Sequence, residues 1–85
     1  MYSEIWVGRK PNTNEYAVLA AIPKDMKLPE HFKPYKPVDQ NRIEWKSNLV
    51  KEDEVEDLIT LLVKELRTSR KQFIIHFDIT DIEDA

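Results

Sequence analysis

The chain has 85 residues, 41% of them hydrophobic and 34% charged, which is enough for one soluble globular domain. It contains no cysteine, which excludes disulfides, thiolate metal sites and a cysteine nucleophile. No segment approaches the roughly 20 apolar residues of a membrane span, and the start Met-Tyr-Ser-Glu lacks the features of a signal peptide. We therefore expect a cytoplasmic protein with no membrane partner.

The net charge of −3 combines two unequal parts. Residues 1–51 carry nine Lys or Arg and six Asp or Glu, which gives +3, whereas residues 52–85 carry four and ten, which gives −6. The acidic residues of the second part are concentrated in two clusters, at 52–57 and 78–84. Because charge layout influences the choice of partner more than the fold, we expect a bipolar surface that steers association.

Two β-strands joined by a turn are predicted at the start of the chain. Residues 2–9 are rich in β-branched and aromatic side chains, and alternation places Glu4 and Trp6 on the same face. Residues 10–14 contain a proline and two asparagines, which favour a turn. Residues 15–22 are apolar on both faces, which is typical of a strand in the middle of a sheet that is covered on both sides.

A long proline-rich loop is predicted over residues 23–40. It contains four prolines, each of which biases the preceding residue away from helix. Loops of this length need a functional or packing reason in a compact domain. Five side chains could hold the loop against one face of the sheet, namely Met26, Leu28, Phe32, Tyr35 and Val38.

A strand, a helix and a final strand are predicted in the second half of the chain. Alternation over residues 42–46 indicates a strand with Trp45 in the core, which could extend to about residue 50. Apolar residues recur with helical spacing over 52–68, with acidic residues near the start and basic residues near the end, as the helix dipole favours. Residues 72–79 indicate the last strand. One of its faces comprises Phe73, Ile75, Phe77 and Ile79.

The predicted fold class is α+β, with a single small domain over residues 1–79. A four-stranded mixed sheet follows the order β-β-(long Pro-rich loop)-β-α-β, and one helix packs on one face. The N-terminal strands should be antiparallel, whereas a crossover helix permits the last two to be parallel. Residues 80–85 are predicted to form an acidic, frayed tail. Because one helix covers only one face, the loop, a second copy of the chain or a partner must cover the other.

The residue types that carry chemistry do not form a catalytic motif. His76 and Asp78 lie two positions apart and share a face, where the carboxylate could orient the imidazole, but a partly exposed polar face is the simpler explanation. His31 fits a solvated loop histidine, and no zinc-like spacing is present. The single glycine, Gly8, excludes a glycine-rich phosphate loop and therefore a nucleotide. We expect no enzyme activity, no cofactor and no metal site.

Residues 23–40 support two interaction hypotheses. Residues 33–37 have the P-x-x-P spacing and basic flank that resemble ligands of SH3 domains, although short proline spacings arise in many long loops. Four lysines also interleave with Phe32 and Tyr35, which would place phosphate-attracting charge beside stacking surfaces for a nucleic acid. These lysines are Lys24, Lys27, Lys33 and Lys36. The negative charge of residues 52–85 opposes nucleic-acid binding.

The acidic clusters support a third hypothesis. A carboxylate-rich face can occupy the nucleic-acid groove of another protein, so residues 52–57 and 78–84 could make the chain an acidic nucleic-acid-mimicking inhibitor. The simpler explanation is a solvated helix start and an acidic tail.

The predicted function is a small non-enzymatic binding or regulatory module that acts through protein–protein contact, as a homodimer or with another partner. The contact surface would be the face opposite the helix, where Trp6 is expected, or the loop over 23–40. Trp6 could instead pack under Phe32 or Tyr35 of the loop. Nucleic-acid binding through the loop and the acidic inhibitor are the alternatives. The candidate interaction residues are Trp6, Phe32, Tyr35, Lys33, Lys36, Glu52, Asp53, Glu54 and Asp57.

Overall fold

The computed structural model describes residues 2–82, which contain six strands and one helix. In chain order they are β1 (Ser3–Arg9), β2 (Glu15–Pro23), β3 (Phe32–Pro37), β4 (Arg42–Ser47), β5 (Val50–Lys51), α1 (Glu52–Thr68) and β6 (Phe73–Asp81). The α+β class and the single helix are confirmed, but the mixed sheet has six strands rather than the predicted four.

The predicted N-terminal hairpin is confirmed. Strands β1 and β2 are antiparallel, with Val7 opposite Val18. In the turn, Asn12 has a positive φ of 63°, which asparagine tolerates better than most residues. The Thr13 hydroxyl donates to the Lys10 carbonyl at 2.7 Å and accepts from the Glu15 amide at 3.1 Å. Side-chain hydrogen bonds thus stabilise the turn that sets the register of the two strands.

Strand β2 lies inside the sheet, whose order is β3-β4-β2-β1-β6, with β5 also paired to β2. Its residues 16–22 are all buried, which confirms the prediction of a strand covered on both faces. Strands β4 and β1 are both antiparallel to β2, and β6 is parallel to β1. Strands β4 and β6 therefore run in the same direction but are separated by β2 and β1.

The segment 23–40 is not a continuous loop, because residues 32–37 form the edge strand β3. Phe32 lies opposite Ser47, and Pro37 lies opposite Ile43. An edge strand bonds a neighbour on one side only, so prolines without a backbone N–H are tolerated there. The four-stranded prediction is wrong at this point, because it placed residues 23–40 in an extended loop outside the sheet.

The strand predicted over residues 42 to about 50 is divided into β4 and β5. The division occurs at Ser47, whose hydroxyl accepts the Val18 amide of β2 at 2.8 Å and donates to the Asn48 carbonyl at 2.8 Å. Backbone pairing with β2 resumes at Val50, opposite Tyr16. The Ser47 hydroxyl thus takes the place of a backbone carbonyl as the acceptor for the Val18 amide, at the point where pairing with β2 is interrupted.

The predicted helix over 52–68 is confirmed as α1. At its start the Lys51 amide donates to the Glu54 carboxylate at 3.1 Å, which satisfies one of the amides that a helix leaves unpaired. At its end Arg70 adopts a left-handed φ of 56°, and the Lys71 amide donates to the Leu66 carbonyl at 2.9 Å. The buried face consists of Leu58, Leu62 and Leu66.

Strand β6 is longer than predicted and includes residues 80 and 81, which were assigned to the tail. Ile82 follows it, is buried, and donates its amide to the Arg9 carbonyl at 3.0 Å. These residues are therefore held against β1 rather than frayed. The rest of the predicted tail, 83–85, lies outside the described residues.

Candidate binding groove

A groove lies between α1 and β6 because the helix is too narrow to cover the whole sheet. A helix with its side chains is about 10 Å across and neighbouring strands lie about 4.8 Å apart, so one helix covers about two strands. Helix α1 packs mainly on β2 and β5. On its other side, toward β1 and β6, the sheet is left open as a groove of about 620 Å³.

The groove has an apolar floor and an acidic rim. Its apolar side chains come from α1, β1 and β6, and are Val7, Val55, Ile59, Ile75, Phe77 and Ile79. Glu52, Glu56 and Asp57 line the helix side and His76 lines the β6 side, and among residues 2–82 no Lys or Arg lines the groove. The acidic start of α1, which suits the helix dipole, thus also gives the groove a negative potential.

A bulge in β6 pushes Phe77 out of the sheet. Ile5 pairs with Ile75 and Val7 pairs with Ile79, so β1 has one residue between these pairs where β6 has three. Bulges bend the strand and redirect its side chains, and they are common at sheet edges. Phe77 lies at the middle of the bulge and is 89% exposed, and Ile79 beside it is 56% exposed. Two large apolar side chains therefore face solvent at the mouth of the groove.

The outer edge of β6 is unpaired. Strand β6 bonds β1 along one edge, and no other strand within residues 2–82 pairs with it. Backbone N–H and C=O groups on such an edge are available to another strand. The opposite edge of the sheet, β3, carries Pro34 and Pro37, which lack an N–H to offer.

The face of the sheet opposite α1 is covered largely by the chain's own side chains. Here β2 presents two alanines and Leu19, all buried. Leu19 packs with Ile82, and the half-buried side chains that pack against this cluster are Trp6, Tyr35 and Leu49. Trp6 thus belongs to the same cluster as Tyr35, as one prediction had it. Tyr35 of residues 23–40 and Ile82 thus help to cover this part of the sheet.

A chain of polar side chains, consisting of Asp39, Arg42, Glu4 and His76, crosses the same face. Arg42 Nη1 donates to Glu4 Oε2 at 2.7 Å, and Arg42 Nε donates to Asp39 Oδ2 at 3.0 Å. Glu4 Oε1 lies 3.0 Å from His76 Nε2. Arg42 reaches Glu4 across β2, where Glu4 lies opposite the small residue Ala21. This polar chain connects β4, β1 and β6 over the strand between them.

The polar chain shifts the titration of its carboxylates. The hydrogen bond from Arg42, followed by that from His76, lowers the pKa of Glu4 below its usual value of 4.5. The backbone amide of Asn41 and the guanidinium of Arg42 lower the pKa of Asp39. Both carboxylates are therefore stabilised in their charged form.

Protonation of Glu4 should weaken the fold in acid. Because its pKa is lower in the folded than in the unfolded state, its contribution is complete above about pH 4.5 and is lost as the pH falls through the folded-state pKa. We expect the Glu4→Gln variant to lose about 1 kcal/mol of unfolding free energy at pH 7 and progressively less as the pH is lowered from 4.5 to 2.5. Urea unfolding between these pH values measures this, with Glu30→Gln, an exposed carboxyl outside the polar chain, as the control. A constant difference between Glu4→Gln and the wild type would contradict the expectation.

The basic and aromatic candidates of residues 23–40 do not form one surface. Phe32 is 3% exposed and packs in the helix-side core, so it is unavailable as a contact or stacking residue. Tyr35 is half-buried on the other face, with Lys36 Nζ and Lys46 Nζ at 5.5 and 5.2 Å from its ring centre. Lys33 is exposed on β3. The tyrosine ring is thus engaged by two cations of its own chain.

The acidic candidates lie together at the start of α1, all exposed. Glu54 accepts the Lys51 amide, and Glu52 Oε2 accepts the Tyr16 hydroxyl at 3.3 Å. Asp57 lines the groove, whereas Asp53 lies toward the neighbouring β1–β2 turn. Of this set, Glu52 and Asp57 belong to the groove rim.

The histidine candidates are not assembled into a reaction centre. His76 and Asp78 share a face with Trp6, as predicted, but His76 contacts Glu4, and its ring is edge-on to Trp6 at a centroid distance of 6.2 Å. His31 is exposed. Within residues 2–82 no group of three or more His, Asp or Glu side chains could hold a metal ion.

No protein-family model, no curated protein sequence and no solved structure matches this chain. Within residues 2–82, no helix has the length and apolar character needed to cross a membrane. The function must therefore be inferred from the groove itself.

The groove floor was missed at the level of sequence. Val55 and Ile59 belong to the apolar stripe of α1, which by itself predicts only helix packing, and alternation along β6 does not distinguish Phe77 from its apolar neighbours. A usable signal was present, because a single 17-residue helix cannot cover every strand of a sheet this wide. An apolar strand far from the helix, such as β6, is therefore expected to be partly exposed.

Proposed function

We propose that the chain is a small non-enzymatic binding module that acts through protein–protein contact, with the groove between α1 and β6 as its contact surface. The observation that carries this proposal is the exposure of Phe77 and Ile79 on an unpaired edge strand beside the apolar floor. Contiguous exposed apolar surface with a polar border is characteristic of interaction sites, and aromatic residues supply much of the binding energy at such sites.

The groove is a better candidate than the surfaces named first. We expect the face opposite α1 to be covered by the segment 23–40, by a second copy or by a partner, and side chains of the chain itself, Trp6, Tyr35 and Ile82, pack at its centre. Nucleic-acid binding through residues 23–40 is less supported, because Phe32 is buried and Tyr35 is half-buried, so neither ring is free for stacking on a base. The acidic-inhibitor alternative shares the rim carboxylates, but it gives no role to the apolar floor.

Peptide selection tests the groove directly. We expect a random peptide library displayed on phage to yield peptides that bind the wild-type protein and lose about tenfold or more in affinity to the Phe77→Asp variant. Because the Phe77 side chain is exposed, this substitution should change the unfolding free energy by no more than about 0.5 kcal/mol. Fluorescence anisotropy with the selected peptides gives the affinities.

Val38→Asp is the matched control, because Val38 is an exposed apolar residue outside the groove. It should bind the selected peptides as the wild type does. Failure to select any peptide, or selected peptides that bind Phe77→Asp as tightly as the wild type, would overturn the proposal.

A further inference from the structure

We infer that the partner is an extended, basic segment of another protein, which adds as a strand to the outer edge of β6 and places apolar side chains against Phe77 and Ile79. This inference rests on the proposed function and names the occupant of the same groove. It follows from three features of the described residues: the unpaired backbone edge, the exposed apolar side chains, and the charge of the rim.

The unpaired edge favours an extended partner. Strand β6 is nine residues long and is fixed to β1 at both ends, through the Ser3 amide to the Gln72 carbonyl at 2.9 Å and the Ile82 amide to the Arg9 carbonyl at 3.0 Å. A strand added along its free edge would gain main-chain hydrogen bonds and continue the sheet. Such a strand presents alternate side chains to the helix side of the sheet, where Phe77 and Ile79 line the groove.

The rim selects a basic partner. Glu52, Glu56 and Asp57 line the groove without any Lys or Arg among the lining residues. Asp78 and Asp81 on β6 add further carboxylates to this strand. Lysine or arginine on an added strand would meet a complementary potential, whereas an acidic segment would be repelled.

The same charges disfavour a second copy of this chain. Two molecules joined symmetrically through β6 would each bring a rim of three carboxylates to one interface. In a two-fold interface the same surface patches face each other, and like charges placed together oppose association. A heterologous basic segment avoids this repulsion.

Synthetic peptides as long as β6 test the charge of the partner. The probe has valine at its third, fifth and seventh positions, lysine at both ends and threonine elsewhere. Two counterparts replace the lysines with glutamine or with glutamate. We expect the lysine peptide to bind at least about tenfold more tightly than the glutamate peptide, with an affinity that falls as salt is added.

Charge reversal in the protein provides the matched control. The double variant Glu56→Lys with Asp57→Lys should reverse the order of the lysine and glutamate peptides. Asp25→Lys with Glu30→Lys makes the same change in net charge at exposed carboxylates outside the groove and should leave the order unchanged. A reversal in both double variants would mean that the whole-molecule charge is responsible, and would overturn the assignment to the rim.

Backbone methylation tests strand addition. One form of the lysine peptide carries N-methyl groups on its even-numbered residues, and a second form carries them on its odd-numbered residues. Because alternate N–H groups of a strand point to opposite edges, only one of the two forms blocks the N–H groups that face β6. We expect one form to bind as the parent peptide does and the other to lose at least about tenfold in affinity. Equal binding of both forms would overturn strand addition.

The outcomes separate this inference from the function on which it rests. If the library yields Phe77-dependent peptides but the acidic or neutral synthetic peptides bind as tightly as the lysine peptide, the groove binds protein segments and the basic partner is wrong. If no peptide depends on Phe77, both proposals fail. A Phe77-dependent dimer of the protein alone, seen by sedimentation, would replace the basic segment with a second copy.

Discussion

Replacing Ser47 with alanine is expected to lower the free energy of unfolding by about 2 kcal/mol. The Ser47 hydroxyl accepts the amide of Val18 at 2.8 Å, at a position where both residues are buried. Alanine would leave this amide without a partner between β4 and β5, and an unsatisfied buried donor costs more than a hydrogen bond contributes on average. Urea unfolding followed by tryptophan fluorescence measures the difference.

Ser3 offers a matched control for this substitution. It is 1% exposed, as Ser47 is 4% exposed, but its hydroxyl has no hydrogen-bond partner within residues 2–82. Removing an unsatisfied hydroxyl relieves a desolvation cost, so Ser3→Ala should leave stability unchanged or raise it by about 1 kcal/mol. Similar losses in the two variants would show that the hydrogen bond to Val18 is not the reason for the cost.

Replacing Gly8 with alanine is expected to destabilise the protein by about 2 kcal/mol. A Cβ atom at Gly8 would lie 2.5 Å from Ile82 Cγ2 and 3.1 Å from Leu19 Cδ1. The first distance is far below a van der Waals contact. Ile82 is held in place because its backbone amide donates a hydrogen bond to the Arg9 carbonyl. Alanine at this position would therefore force Ile82 away from β1.

A double-mutant cycle identifies the contact responsible. Ile82→Ala removes the Cγ2 atom, so Gly8→Ala should cost less than about 0.5 kcal/mol in that background. The coupling free energy should thus exceed about 1 kcal/mol. Additive effects of the two substitutions would place the strain at Leu19 or in the backbone instead.

The parts of the fold that depend on local sequence were predictable. The extent of α1 follows from helical spacing and from the acidic residues near its start, both of which act within a few turns. The two strands that the prediction missed depend on pairing with other strands, which residue type alone does not specify. Strand β3 exists because Phe32 and its neighbours pair with β4, and β5 is separate because the Ser47 hydroxyl bonds an amide 29 positions earlier in the chain.

The charged rim of the groove was predictable from the sequence, but its apolar floor was not, because the floor depends on how the helix and strands are placed relative to one another. Glu52 and Asp57 stand out as charges in the sequence and do lie on the rim. The floor depends on the lateral position of the helix, which packs over β2 rather than β1. Periodicity specifies which side of a helix is buried, but not which strands it covers. The exposure of Phe77 depends also on the bulge in β6, which arises from its register with β1.

The two edges of the sheet differ in a way that limits self-assembly. Open-ended stacking of sheets would require β6 of one molecule to pair with β3 of the next, because a head-to-tail contact must repeat to form a fibre. Pro34 and Pro37 lack the backbone N–H groups that β3 would need as hydrogen-bond donors. A contact between β3 and β6 of another molecule would therefore lack a continuous series of backbone hydrogen bonds. If a segment adds to β6 as we propose, the β3 edge would not continue the pairing from one molecule to the next.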